Sequence, residues 1–281
     1  MRPVRHLAFV VVALLACVAL PLAIVSTWTA NVVTDSDGYV AAVGPLADDS
    51  TVQEAVEERL EAEVLARLPL LPPPTVRRAV VRVVEGPEFR PAWEDANRSA
   101  HEQLVNTLEA SDDSPVAQDG TVSIELGTLL VAVIETLDTR GRVDTSNAPD
   151  VRTDFNLVSA QQLERARTTY QLVHLAGLWM PVVWLLLLAA ALLVAVNRRR
   201  ALVWLAIGSL ACAGALLLVV SLARREVIDR AATGESDLVG AVWDVVTAGL
   251  RNGAWLAVAA ALVVLLLALT LGELVGRFRR P

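Results

Sequence analysis

Four stretches without a single charged residue dominate this chain: Leu7–Val25, Leu175–Val196, Ala201–Ala223 and Ala254–Gly272. They run 19, 22, 23 and 19 residues. A helix needs about 20 apolar residues to cross roughly 30 Å of hydrocarbon. Lipid offers no partner to an exposed backbone amide, so runs of this length are expected to be helical. Trp28, Trp179, Trp204 and Trp255 stand near the run ends, where an amphipathic ring favours the headgroup level. The sequence therefore predicts a mainly α membrane protein with four transmembrane helices.

The first run could instead open a secretory signal, since Arg2, Arg5 and His6 give it a basic start. Its apolar stretch exceeds the usual core of about 7–15 residues, and cleavage after Ala30 would place the bulky Trp28 where a small residue belongs. An uncleaved anchor is the expectation.

Between and beyond the spans the chain is polar. It has 281 residues, of which 54% are hydrophobic, and a net charge of −7. All 24 basic residues are arginine. The arginine bias of short loops sets orientation. Residues Arg2, Arg5, Arg198, Arg199, Arg200, Arg277, Arg279 and Arg280 share one side with no acid among them. The loop Arg224–Asn252 on the other side has four arginines against five acids. Both termini are thus predicted cytoplasmic, in a multi-pass protein of the cell membrane. The expected order is a cytoplasmic N-terminus (1–6), span one (7–27), an extracytoplasmic domain (28–173) and span two (174–196). A cytoplasmic turn (197–200), span three (201–223), an outer loop (224–252), span four (253–273) and a cytoplasmic tail (274–281) follow.

Residues 26–173 hold 25 acids and 12 arginines, a net of −13. Such a domain has no use for nucleic acid, whose recognition calls for a basic patch. Both cysteines, Cys17 and Cys212, fall inside apolar runs. The outer domain must therefore fold on its core alone, without disulfides or thiolate metal sites. The expected partners are the lipid bilayer and a protein of the envelope or membrane.

The domain reads as mostly helical, α+β at most. Thr51 and Glu54 have capping-box spacing, ahead of a stripe at Val52, Val56, Leu60, Val64 and Leu68. Pro69–Pro74 ends that helix. A second follows through Val76, Val80 and Val83 and is closed by Gly86 and Pro87. The third buries Phe89, Trp93, Ala96, Ala100, Leu104 and Leu108 along one side. Segments 121–126 and 151–158 alternate and are expected to pair as strands, with a buried helix over 128–137. A capping box at Ser159 and Gln162 starts a helix with no breaker before span two. In the outer loop, Leu238, Val242, Val245, Val246 and Leu250 share a helical face. Its polar side is not basic, which favours packing under the outer domain over a place in the lipid interface.

Chemistry is sparse. His101 has Ser99 and several acids nearby in sequence, but neighbours along a helix do not make a triad. His101 is expected at a surface or boundary. Asp35 and Asp37, with Gly38, hint at a cation loop but lack the remaining ligands and the closing glutamate. The pairs Asp48/Asp49 and Asp112/Asp113 invite the same weak reading. Gly208 and Gly214, with Ala211 and Ala215, offer small faces for helix packing. Glu273 and Arg277 have the spacing of a local ion pair. No catalytic residue, cofactor or metal site is expected.

The stretch from Thr34 through Asp35, Asp37, Gly38, Tyr39 and Pro45 to Ala47, then Trp93, Ala96-Asn97-Arg98, Ala100-His101, Val122–Gly127, Arg165-Ala166, Tyr170 and Asn197–Arg200, resembles uncharacterised actinobacterial four-span integral membrane proteins. In these a large extracytoplasmic domain follows the first span. The resemblance covers nearly the whole chain and implies this architecture, but it brings no activity and no functional residues. Within it, Asp35, Asp37, Asn97, Arg98 and His101 are the polar residues to examine as interaction or structural sites. The leading expectation is a non-enzymatic protein that binds, senses or scaffolds through its outer domain. The alternatives are a transporter or channel subunit and, third, an envelope enzyme using outer carboxylates.

Overall fold

The structure is a computed structural model that describes residues 2–109, 121–122, 155–156, 160–231 and 236–278. The chain is mainly helical. Four helices are long and apolar enough to cross a membrane: α1 (Arg2–Val33), α6 (Ala160–Val194), α7 (Arg198–Asp229) and α9 (Ala248–Phe278). The other helices are α2 (Ser36–Val43), α3 (Ser50–Arg67), α4 (Pro73–Val84), α5 (Phe89–Glu109) and α8 (Ser236–Val246). A 3-10 turn, Gly44–Asp48, joins α2 to α3. The chain divides into two compact units, one comprising 1–33, 171–227 and 247–281 and the other 34–170 and 228–246.

The first unit gathers the four long helices. Phe9, Ala16 and Cys17 of α1 cluster with Ala191 of α6 and with Ala201 and Leu205 of α7. Small residues permit the close approaches. A Cβ placed on Gly177 of α6 would lie 2.2 Å from Ala30 Cβ of α1, and one on Gly208 would lie 2.4 Å from Cys17 Sγ. Gly208 is thus a packing glycine as expected. Gly214 is not, since a Cβ there would meet nothing within 4 Å. Only 6% of the most apolar window of α6 is buried, and Leu178, Trp179, Leu186 and Leu193 point outward. Such a surface is suited to lipid, where helix association comes from packing and not from burial of oil. Pro21 and Pro181 lie inside α1 and α6, as membrane helices tolerate.

The second unit has its own core. Leu60 and Val64 of α3 meet Val76, Ala79, Val80 and Val84 of α4, closed by Ala47 and Phe89. The α3 stripe is the expected one, because apolar groups at i, i+4 and i+8 share a helical face. Its cap is not. Asp49 is the N-cap residue, its carboxylate accepting from the amides of Thr51 at 2.9 Å and Val52 at 3.3 Å. Thr51 is already helical, so the Thr51–Glu54 box does not form the start. Pro73 and Pro74 open α4 in place of merely ending α3, a first-turn position where the missing N–H costs nothing.

Two further expectations change on α5. Leu104 is exposed, while His101 and Thr107 are buried. The helix turns a polar seam inward in its second half, for the reason given below. Between the third and fourth long helices, Leu238, Val245 and Val246 of α8 pack on Val43, Leu46 and Val52. The helix is therefore a packed element of the unit, as its non-basic polar side suggested. Leu250 lies beyond it, in α9, and Val242 is exposed.

Thr121–Val122 pairs antiparallel with Phe155–Asn156, Thr121 opposite Asn156. This is the pairing expected between segments 121–126 and 151–158, seen here over two residues each. The remainder of those strands, the helix over 128–137, Asp112/Asp113 and Ser159 lie outside the described residues. α6 runs from Ala160 to Val194 as one helix, as the lack of a breaker predicted. Glu273 falls within α9, but its side chain and that of Arg277 lie outside the described ones.

Candidate functional site

The five polar residues singled out in the sequence come together where α2 lies against α5. Asp35 is the N-cap of α2, and its Oδ1 accepts from the Gly38 amide at 2.5 Å. An Asp at this position satisfies one of the orphan amides of the first turn. That use accounts for Asp35 Oδ1. Asp37, two residues on and exposed, accepts from Arg98 Nη1 at 2.6 Å. The guanidinium proton is held above its ordinary range by the hydrogen bond to Asp37.

The inner half of the seam is more enclosed. Tyr39 stacks on His101 with ring centroids 4.4 Å apart and planes at 18°. Ser36 Oγ and His101 Nδ1 are 3.0 Å apart, the donor being set by the imidazole tautomer. Tyr39 Oη donates to Asn97 Oδ1 at 3.3 Å, and Asn97 Nδ2 donates to the Trp93 carbonyl at 2.8 Å. Trp93 Nε1 donates to the Val43 carbonyl at 3.1 Å, holding the last turn of α2. Burial pushes the Tyr39 phenol above its usual pKa, as expected when the charged form is desolvated.

His101 is 6% exposed, which corrects its expected place at the surface. Two helix patterns generate this arrangement. Ser36 and Tyr39 are three apart on α2, and Trp93, Asn97 and His101 are spaced by four on α5. Each set occupies one helical face, so one docking event aligns all five groups. Ser36, Tyr39 and Trp93 are the members that the sequence did not single out as candidates. The available signal was the Trp93, Asn97, His101 spacing, a polar stripe in register with the apolar one.

A hydroxyl 3.0 Å from an imidazole has the spacing of a nucleophile and its base. Two features count against that role. The Tyr39 ring covers one face of the imidazole, and the first-turn amide of Gly38 is taken by Asp35. The geometry is that of a helix clamp whose polar atoms are turned toward each other. Among the described residues, no group of three or more His, Cys, Asp or Glu could hold a metal ion.

Exposed ion pairs also tie the first turns of α5 to the 3-10 turn. Arg90 bridges Asp48 and Glu94. Such pairs are worth about 0–1 kcal/mol each and serve register more than stability. Comparison with family models, curated proteins and solved structures found no match to this chain.

Proposed function

We propose that this chain is a multi-pass membrane protein that binds or senses an envelope component through its second unit, without catalysing a reaction. In this reading the termini are cytoplasmic and both inter-span loops face outward. One observation carries it: the second unit is built from two separate loops, 34–170 and 228–246, joined in one core by Leu238, Val245 and Val246 against Val43, Leu46 and Val52. A shared core needs both loops on the same side of the bilayer, as four spans require. The eight arginines counted above supply the direction. A ligand that displaces α8 from α2 and α3 would be felt in both loops, and these are covalently continuous with all four spans.

The clamp on α2 and α5 supports a binding role over an enzymatic one, because its polar groups are occupied with each other. Transport asks for ionisable groups in midmembrane. The cavity of about 210 Å³ among the spans is lined by apolar residues such as Leu20, Trp184, Leu205 and Ala261, with Ser209.

Two experiments test the reading. Single cysteines at Ser50 and Arg198 would be labelled in intact cells with a membrane-impermeant maleimide. Labelling is expected at position 50 and absent at 198, and the reverse would overturn the topology. Hydrogen exchange on the full-length protein in lipid nanodiscs, with and without a solubilised envelope fraction, then tests binding. Protection is expected in peptides of α2, α5 or α8, and unchanged exchange throughout the second unit would overturn it.

A further inference from the structure

The sequence uses its short-loop arginines only as topology signals, but the first unit gives some of them a cavity. A space of about 610 Å³ opens between the start of α1 and the turn from α6 into α7. Its volume is within the range of small-molecule sites, about 300–1,000 Å³. Among the described residues, the charged and polar lining consists of Arg5, His6, Asn197 and Arg200, with no carboxylate. Below them lie Phe9 and Trp204, with small apolar residues between.

The lining is graded in the same way on both helices. Arg5 is followed one turn deeper by Phe9 on α1, and Arg200 one turn deeper by Trp204 on α7. Residues four apart share a helical face, so each helix presents a cation near its end and an aromatic ring further in. Arg5 Nη2 donates to the Val194 carbonyl at 3.4 Å, which holds the guanidinium over the α6–α7 turn and uses one of its five donors. Asn197 Oδ1 accepts from the Arg200 amide at 3.4 Å, fixing the first turn of α7. Its neighbour Arg199 is committed elsewhere, donating to the carbonyls of Ala268 at 2.9 Å and Leu269 at 3.3 Å on α9. Trp204 is 65% exposed and Phe9 is buried, so the apolar half of the cavity has both a floor and an open side.

We infer that this cavity is a site for one anionic phospholipid, its phosphate held by Arg5, His6 and Arg200 and its upper acyl chain lying along Phe9 and Trp204. Guanidinium groups suit phosphate because their planar donors match its oxygens. A basic pocket between span ends is the form such headgroup sites take. Inorganic phosphate would satisfy only the upper half of the lining, whereas a phospholipid satisfies both.

The test uses the full-length protein in neutral detergent, melted alone and with phosphatidylglycerol, phosphatidylcholine or inorganic phosphate. Phosphatidylglycerol is expected to raise Tm, and the other two are not. Arg200→Gln is expected to weaken the apparent phosphatidylglycerol affinity about tenfold, the loss of one charge-assisted hydrogen bond, and the Arg5→Gln/His6→Gln double variant at least as much. Arg225→Gln, at the far end of α7, should leave it unchanged. The immobilised fraction of spin-labelled phosphatidylglycerol, read on variants that keep the wild-type Tm in detergent alone, gives the same comparison independently of folding. Equal stabilisation by phosphatidylcholine, or an undiminished response in both variants, would overturn the site. Stabilisation by inorganic phosphate with the same variant dependence would reassign it to a soluble anion and overturn the lipid.

Discussion

The imidazole of His101 lies flat against the ring of Tyr39, with centroids 4.4 Å apart, and this contact is the centre of the α2–α5 clamp. Removing it should loosen the second unit. His101→Ala is expected to cost about 2–4 kcal/mol, from a lost stack and an unpaired Ser36 hydroxyl. Tyr39→Phe keeps the stack and loses only the bond to Asn97, so about 0.5–1.5 kcal/mol is expected. Reversible unfolding in detergent measures both. A serine-directed phosphonate should leave Ser36 unlabelled, and labelling that disappears in Ser36→Ala would make the pair catalytic.

Glycine substitutions in the spans should separate by what surrounds them. Gly177→Ala forces a methyl to within 2.2 Å of Ala30 Cβ and 3.3 Å of the Ser26 carbonyl. Overpacking of this kind costs about 1–3 kcal/mol, and a lowered Tm is expected. Gly214→Ala meets nothing within 4 Å and should leave Tm unchanged or slightly raised, since alanine is the better helix former. Gly208→Ala should fall between, because Cys17 Sγ belongs to a side chain that can move. A melt of the three variants decides the order.

Glu57 on α3 should reveal itself through pH. Burial raises its pKa above the ordinary 4.5, and Glu85 and Glu54 add to the rise while Arg77 opposes it. The native state therefore binds this proton more tightly than the unfolded chain. Its contribution is most favourable below 4.5 and is lost as pH rises through the higher folded value. Glu57→Gln is accordingly expected to raise Tm at pH 7 and to have no effect at about pH 3. An unchanged Tm difference across that range would contradict the assignment.

The packing of α8 can be tested by placing a charge on either side of it. Leu238→Asp or Val245→Asp puts a carboxylate against Val43, Leu46 and Val52, at an expected cost of about 2 kcal/mol or more. Val242→Asp, on the exposed side, should be tolerated. Urea titration of the three variants would show it, with equal losses arguing against a buried face.

The spans and the α3 stripe were legible because length and period are properties of the sequence itself. Any uncharged run of this size has one stable form in lipid, and Val52, Leu60 and Val64 share a face whatever they meet. The cap of α3 was less legible. Asp48, Asp49, Ser50 and Thr51 stand in a row, and each residue type can accept from a first-turn amide. Only the backbone geometry selects Asp49. Short α2 escaped notice because eight residues carry too little periodicity to declare a helix. The inward turn of His101 and the outward turn of Leu104 were hidden for a different reason. Apolar patterning assigns leucine to the core, and a tertiary partner, the Tyr39 ring, reversed that order. Of the candidate site, the right residues were named but the bonds that join α2 to α5 were not, since those partners are 58 or more positions apart.

The joining of 34–170 with 228–246 also sets a timetable. A ribosome releases the first loop well before it has made the third span, and at that moment Val43, Leu46 and Val52 have no α8 to cover them. The second unit can reach its final core only after residue 246 has been made. Until then the nascent chain displays an apolar face to whatever chaperone is at hand. Completion of this core therefore waits on the synthesis of α7 and α8, and a defect in that late step would show itself as misfolding of a segment synthesised much earlier.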